Sequence, residues 1–137
     1  MQEKITVKIT VNASIVSVWS CWTEPSHITQ WVFASDDWHA PYAENDLKIG
    51  GKFLTRMEAK DGSAGFDFNG VYTEVILNEK ISYMLEGGRR VVITFIEDGG
   101  AVIATETFDP ENENSREMQR FGWQSILDNF KKYVESN

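Results

Sequence analysis

Residues 115–134 read SREMQRFGWQSILDNFKKYV, with apolar side chains at Met118, Phe121, Trp123, Ile126, Leu127, Phe130, Tyr133 and Val134. Steps of three and four put them on one broad helical face, with Asp128, Lys131, Lys132 and Glu135 largely opposite. A helix of about twenty residues is a rod of roughly 30 Å, enough to cross a small domain. Everything before it is short, strand-like and punctuated by turns. The pattern therefore predicts one long helix laid across a curved sheet. Gly122 beside Trp123 predicts a local thinning where helix and sheet meet closely, with the Trp turned sideways into the core. Met118 and Phe121 then face a wider, open end, and residues 126–134 close the structure.

Read from the start, residues 3–11 alternate, with Ile5, Val7, Ile9 and Val11 on one side and Lys4, Thr6, Lys8 and Thr10 on the other. That is a half-buried strand. Asn12 or Ser14 can cap a short helix over residues 16–22 that carries Trp19 and Trp22 inward. Pro25 suits the first position of a second short helix carrying Ile28 and Trp31. Residues 33–46, FASDDWHAPYAEND, have no period and are expected to be an irregular loop or a partly ordered cover over a sheet edge. Strands follow at 52–59, 65–77, 80–86, 90–97 and 101–108. Gly87-Gly88 and Asp98-Gly99-Gly100 are hairpin signals, and Gly70 marks a bulge or kink. Asn114 or Ser115 caps the long helix. Tight turns make neighbouring strands antiparallel. The expected fold is α+β, a sheet of about six or seven strands under one helix, with residues 1–137 forming one domain.

The formal net charge is −8, and the basic residues offer only two short pairs, Arg89-Arg90 and Lys131-Lys132. A phosphate-backbone binder needs clustered Lys and Arg, so nucleic acid is not an expected partner, and neither is an anionic membrane surface. No run of about 18 apolar residues occurs, so no membrane insertion is expected. The first residues, MQEKITVKIT, lack an apolar signal region, and the single cysteine, Cys21, excludes an internal disulfide. The expectation is a cytoplasmic monomer.

Motifs for metal, nucleotide and nucleophilic chemistry are missing. His27, His39 and Cys21 do not supply a three-ligand zinc set, and neither a P-loop nor G-x-G-x-x-G nor G-x-S-x-G occurs. No metal and no cofactor are expected, and Cys21, on a packed helix, is expected to behave as a small hydrophobe. Glu74, Glu106 and Arg56 are the candidate acid–base groups, with Tyr72 or Tyr83 as hydroxyl donors. Each charged one is expected at the surface, because an unpaired buried charge is expensive.

The chain resembles the domain related to the C-terminal part of the activator of the 90-kDa heat-shock-protein ATPase. The resemblance is carried by Val18-Trp19, Thr23-Glu24-Pro25 and Trp31. It continues through Ile49-Gly50-Gly51-Lys52-Phe53, Gly70-Val71-Tyr72-Thr73-Glu74-Val75 and Gly122-Trp123, with Leu127, Phe130 and Tyr133. It spans nearly the whole chain, and the order and spacing of these pieces carry it. The family is similar to START lipid-transfer domains, the birch-pollen allergen and polyketide cyclases. The resemblance implies a helix-grip fold with an apolar cavity between sheet and helix. It implies a small hydrophobic molecule as ligand, with cyclase or hydrolase chemistry as an alternative. It also raises a chaperone as partner, although the eukaryotic namesake acts with an additional N-terminal domain for which this chain has no room.

Aromatic residues make up 12% of the chain, with five Trp and eight Phe, more than a core alone requires. Strand alternation and the helical face give an inward set: Phe53, Met57, Tyr83, Phe95, Ile103, Thr105, Met118, Trp123 and Leu127, with Phe121 at the open end; over residues 65–77 both parities carry apolar residues, so Phe68 or Tyr72 joins the set with its facing left open. Trp31 and Trp38 are placed at the mouth. Any one of these side chains can simply fill a core. Together with the resemblance, the aromatic excess points to a ligand cavity, and to a binding module rather than an enzyme.

Overall fold

The computed structural model describes residues 3–136. Seven strands form one antiparallel sheet: β1 (Ile5–Val11), β2 (Trp38–Asn45), β3 (Lys52–Ala59), β4 (Gly65–Ile76), β5 (Lys80–Leu85), β6 (Arg90–Asp98) and β7 (Ala101–Phe108). Helices α1 (Ile15–Thr23) and α2 (Pro25–Ile28) follow β1, and α3 (Arg116–Glu135) ends the chain. The strand order is β1-β7-β6-β5-β4-β3-β2, so every neighbour is adjacent in sequence except β1, which pairs with β7. The sheet curls around α3 in a helix-grip, α+β arrangement. Among the described residues no helix is long and apolar enough to cross a membrane.

Caps fall on hydroxyls that accept from the first helical turn. Ser14 Oγ accepts from Ser17 N at α1, and Ser115 Oγ accepts from Met118 N at α3. The inner face of α3 buries Leu127, Phe130 and Val134 against Ile5, Val11, Val18, Ile93 and Phe108. Its outer polar side chains reach the exposed margin of β1. Arg116 Nη1 donates to Glu3 O at 2.6 Å, Gln124 Nε2 to Lys8 O at 3.0 Å, and Lys131 Nζ to Thr10 O at 2.6 Å. Glu135 Oε2 accepts from Asn12 N at 2.7 Å.

Three expectations change. The stretch expected to be irregular contains β2, paired with β3 from Trp38↔Ala59 to Asn45↔Phe53, with a register shift between His39 and Tyr42. Pro41 sits inside that shift, where a missing N–H costs no ladder bond. Second, β7 turns its even positions inward. Val102, Ala104, Glu106 and Phe108 are buried, and Ile103 and Thr105 lie on the opposite face. Third, a Cβ at Gly122 would meet nothing within 4 Å, so there is no close approach at that glycine. Close approaches occur instead at Gly51, where a Cβ would collide with Asp46 O, and at Gly70, where it would lie 2.6 Å from Met84 O and 2.9 Å from the Phe53 ring.

Candidate functional site

Because α3 lies toward β1, a space remains between it and the concave surface of β3–β5. The cavity measures about 250 Å³. Its floor follows from strand alternation: Phe53, Thr55 and Met57 from β3, Phe66, Phe68 and Tyr72 from β4, and Ile81 and Tyr83 from β5. In β4 the inward parity changes at a register shift between Tyr72 and Glu74, which is why both parities carry apolar residues there. Phe53 is the hub of the floor, with ring centroids 4.7 Å from Tyr83, 5.2 Å from Tyr72 and 5.8 Å from Phe68. Absence of a side chain at Gly70 leaves room for that ring.

Trp123 and Ile126 of α3 form the roof, and Trp22, Ile28, Trp31 and Val32 close one end. Trp123 is held by stacking on Phe108, with centroids 3.8 Å apart and planes 12° from parallel. Trp31 is fixed by its indole N–H, which donates to Cys21 O at 2.9 Å.

The polar part of the wall is small: Thr55, Tyr72, Tyr83, Arg89 and Glu106. Tyr72 donates to Asn45 Oδ1 at 2.5 Å, and Asn45 Nδ2 donates to Thr23 O at 2.6 Å, a chain that ties β4 to β2 and α1. Burial pushes the Tyr72 hydroxyl above its ordinary range, and the Asn45 bond works against that. Arg89 Nη1 donates to Asp109 O at 3.3 Å. Glu106 is only 6% exposed. Among the described residues its carboxyl has no hydrogen-bond or ion-pair partner, and burial pushes its pKa up to about 8. Burial also raises Tyr83, helped by the charge of Glu106 and by Tyr72 and opposed by Arg89.

Seven of the sequence-predicted residues meet in this wall: Trp31, Phe53, Met57, Phe68, Tyr72, Tyr83 and Trp123. Six do not. Trp38 stands one ring away, 5.9 Å from Phe66. Phe95 is buried against Trp19 and Trp22 in the core. Ile103 and Thr105 face the outer side of the sheet. Met118 and Phe121 are 64% and 75% exposed and point away from the cavity. Ile126, assigned to structural closure, instead reaches the cavity.

The expectation that every charged acid–base candidate is at the surface holds for two of three. Arg56 pairs with Glu58 and Asp67, and Glu74 pairs with Lys80 at 2.9 Å, all partly exposed. Glu106 is the exception. Its inward direction was available from β6. Asp98 pairs with Ala101, so the hairpin loop is the two residues Gly99 and Gly100. A two-residue loop pairs odd positions with even ones, so Val91, Ile93 and Phe95 facing in require Phe108, Glu106 and Ala104 to face in. Cys21 is buried, and burial followed by the Glu24 charge raises its thiol, the opposite of an activated nucleophile. Among the described residues no three His, Cys, Asp or Glu side chains gather in a group that could hold a metal ion.

A comparison with curated proteins finds no match. Among solved structures, an AHSA1-like protein from Aeromonas hydrophila is 43% identical, with a TM-score of 0.91 over 97% of this chain and 92% of that one. A protein from Cytophaga hutchinsonii is 53% identical, with a TM-score of 0.84 over 98% and 93%. A Chromobacterium violaceum protein shares the fold at 19% identity, with a TM-score of 0.87 over 99% and 100%. Residues 12–135 match the family described as Activator of Hsp90 ATPase homolog 1-like protein. Matched over most of its length by the family and closely by solved relatives, this chain belongs to the Activator of Hsp90 ATPase homolog 1-like family.

Proposed function

We propose that the protein binds a small hydrophobic or aromatic molecule in the cavity between α3 and strands β3–β5. The observation that carries this reading is the cavity itself, about 250 Å³ with a mostly aromatic and aliphatic wall. Small-molecule sites are concave, apolar and served by few polar groups, with volumes of roughly 300–1,000 Å³, so this one suits a compact ligand of one or two rings. Trp22, Trp31 and Trp123 in the wall provide the readout. Titration with a panel of short fatty acids and one- or two-ring aromatics is expected to change tryptophan emission. Backbone amide shifts are expected to cluster at residues 53–57, 66–72 and 123–126. A panel that leaves all of those amides unmoved sinks the reading.

A second reading rests on Met118 and Phe121, exposed one turn apart at the start of α3. In that reading the pair docks onto a protein partner, and the family description makes the 90-kDa heat-shock chaperone the first to test. An unchanged chaperone ATPase rate at saturating protein removes it.

A further inference from the structure

Three polar side chains of the cavity wall, Thr55, Tyr83 and Glu106, have no hydrogen-bond partner among the described residues, and the last two carry the more acidic O–H groups. Glu106 comes from β7 and Tyr83 from β5, on either side of β6 and on the same concave face. Neither side chain has a hydrogen-bond or ion-pair partner among the described residues. Glu106 is more than nine-tenths buried, and so is Tyr83. Among the described residues no fully buried side-chain nitrogen or oxygen lacks a partner, so the oxygens of these two groups open onto the cavity, where a ligand can reach them. Tyr72, by contrast, is spent on Asn45, and Arg89 donates to the Asp109 carbonyl.

We propose that Glu106 and Tyr83 together bind the carbonyl-type oxygen of a neutral, otherwise apolar ligand, each donating an O–H hydrogen bond to it. This deepens the ligand-binding reading above and rests on it. The charge pattern selects a neutral ligand. A cation would share the cavity with the Arg89 guanidinium, and an anion would give up its hydration to a mostly apolar wall whose one cation is already engaged with the Asp109 carbonyl. A neutral acceptor satisfies both free donors and leaves the aromatic floor for the rest of the molecule.

Protonation states agree with donation. Burial keeps the Glu106 carboxyl protonated at neutral pH, with its pKa at about 8. The other ionisable groups facing it across the cavity are Tyr83 from β5, Tyr72 from β4 and Arg89 from the β5–β6 hairpin. The remaining elements present uncharged side chains: Val7 from β1, Ile93 from β6, Thr55 and Met57 from β3, Trp123 and Ile126 from α3, and Trp22 from α1. Both tyrosines are pushed upward by burial, so Glu106 is the group that changes charge between neutral and mildly alkaline pH.

The test compares 2-acetylnaphthalene with 2-isopropenylnaphthalene, a hydrocarbon of nearly the same shape, by calorimetric titration of the full chain. At pH 6.5 the ketone is expected to bind about tenfold more tightly, the usual worth of a good neutral hydrogen bond. That preference is expected to shrink several-fold by pH 9.5, as Glu106 ionises and stops donating. Glu106→Gln keeps an N–H donor, so its preference is expected to persist with no pH dependence. Glu106→Leu is expected to reduce the preference at both pH values, read as the ratio of the two affinities so that any change common to both probes cancels. Equal binding of the two probes to the unaltered protein overturns the proposal and leaves the cavity reading standing. So does a ketone preference that grows with pH, or one that Glu106→Leu retains in full. Failure of both probes to bind overturns the proposal, and the cavity reading falls with it when the wider panel also leaves the amides unmoved.

Discussion

Glu106 loads the folded state with a proton that the unfolded chain does not hold. Its folded pKa is about 8, against 4.5 for the free group. Between those values the unfolded state releases the proton and the folded state keeps it, so stability falls as pH rises through that window. The slope approaches about 1.4 kcal/mol per pH unit and flattens above the folded pKa. Urea denaturation at pH 5 and pH 8 should show this decline in the unaltered protein, and Glu106→Leu should abolish that part of it. The same substitution is expected to leave stability at pH 8 unchanged or higher, because it removes a buried polar group without orphaning a partner. Gly70→Ala is expected to do the opposite. Its new methyl would press on Met84 O and the Phe53 ring, and overpacking of this kind costs about 1–3 kcal/mol. A lowered urea midpoint, with ring contacts at Phe53 disturbed, would be the signature.

At the scale of elements, the long helix depends on its start. Ser115→Ala removes the acceptor for Met118 N and should cost about 1 kcal/mol, read as a lower thermal midpoint with helix content otherwise unchanged. The helix length and the bounds of β3 and β7 were legible in sequence, and the cap was narrowed to Asn114 or Ser115, because caps, 3.6-residue periodicity and two-residue turns are local signals. β2 was not. WHAPYAEN has neither alternation nor a run of β-branched residues, and its strand conformation comes from the ladder that β3 offers it. The inward face of β7 was missed for another reason. Ile103 looked like a core residue and Glu106 like a surface one, whereas the hairpin fixes parity whatever the side chains prefer. Within the site, the β3 and β5 parts of the floor were legible from alternation, and the β4 part was not, because its parity changes at the register shift between Tyr72 and Glu74. The roof was only half legible, because α3 is tilted toward β1 and turns Met118 and Phe121 out while bringing Ile126 in.

Across the whole molecule, pairing β1 with β7 joins the first strand to the last and sets the rest of the sheet to curl beyond the helix. The cavity is the space this geometry leaves, so occupying it should couple to global folding. A ligand that binds only the folded state at a hundredfold excess over its Kd should add about 2.7 kcal/mol, seen as a concentration-dependent rise in thermal midpoint. A second consequence concerns the β1 margin, where Arg116, Gln124 and Lys131 hold the carbonyls of Glu3, Lys8 and Thr10. An outer strand with unpaired carbonyls is a template on which another chain can add a strand. Here the final helix occupies those acceptors with side chains, as a partner strand would with backbone amides. Detaching the helix would thus do more than open the core: it would free the β1 margin to pair with a strand from another chain.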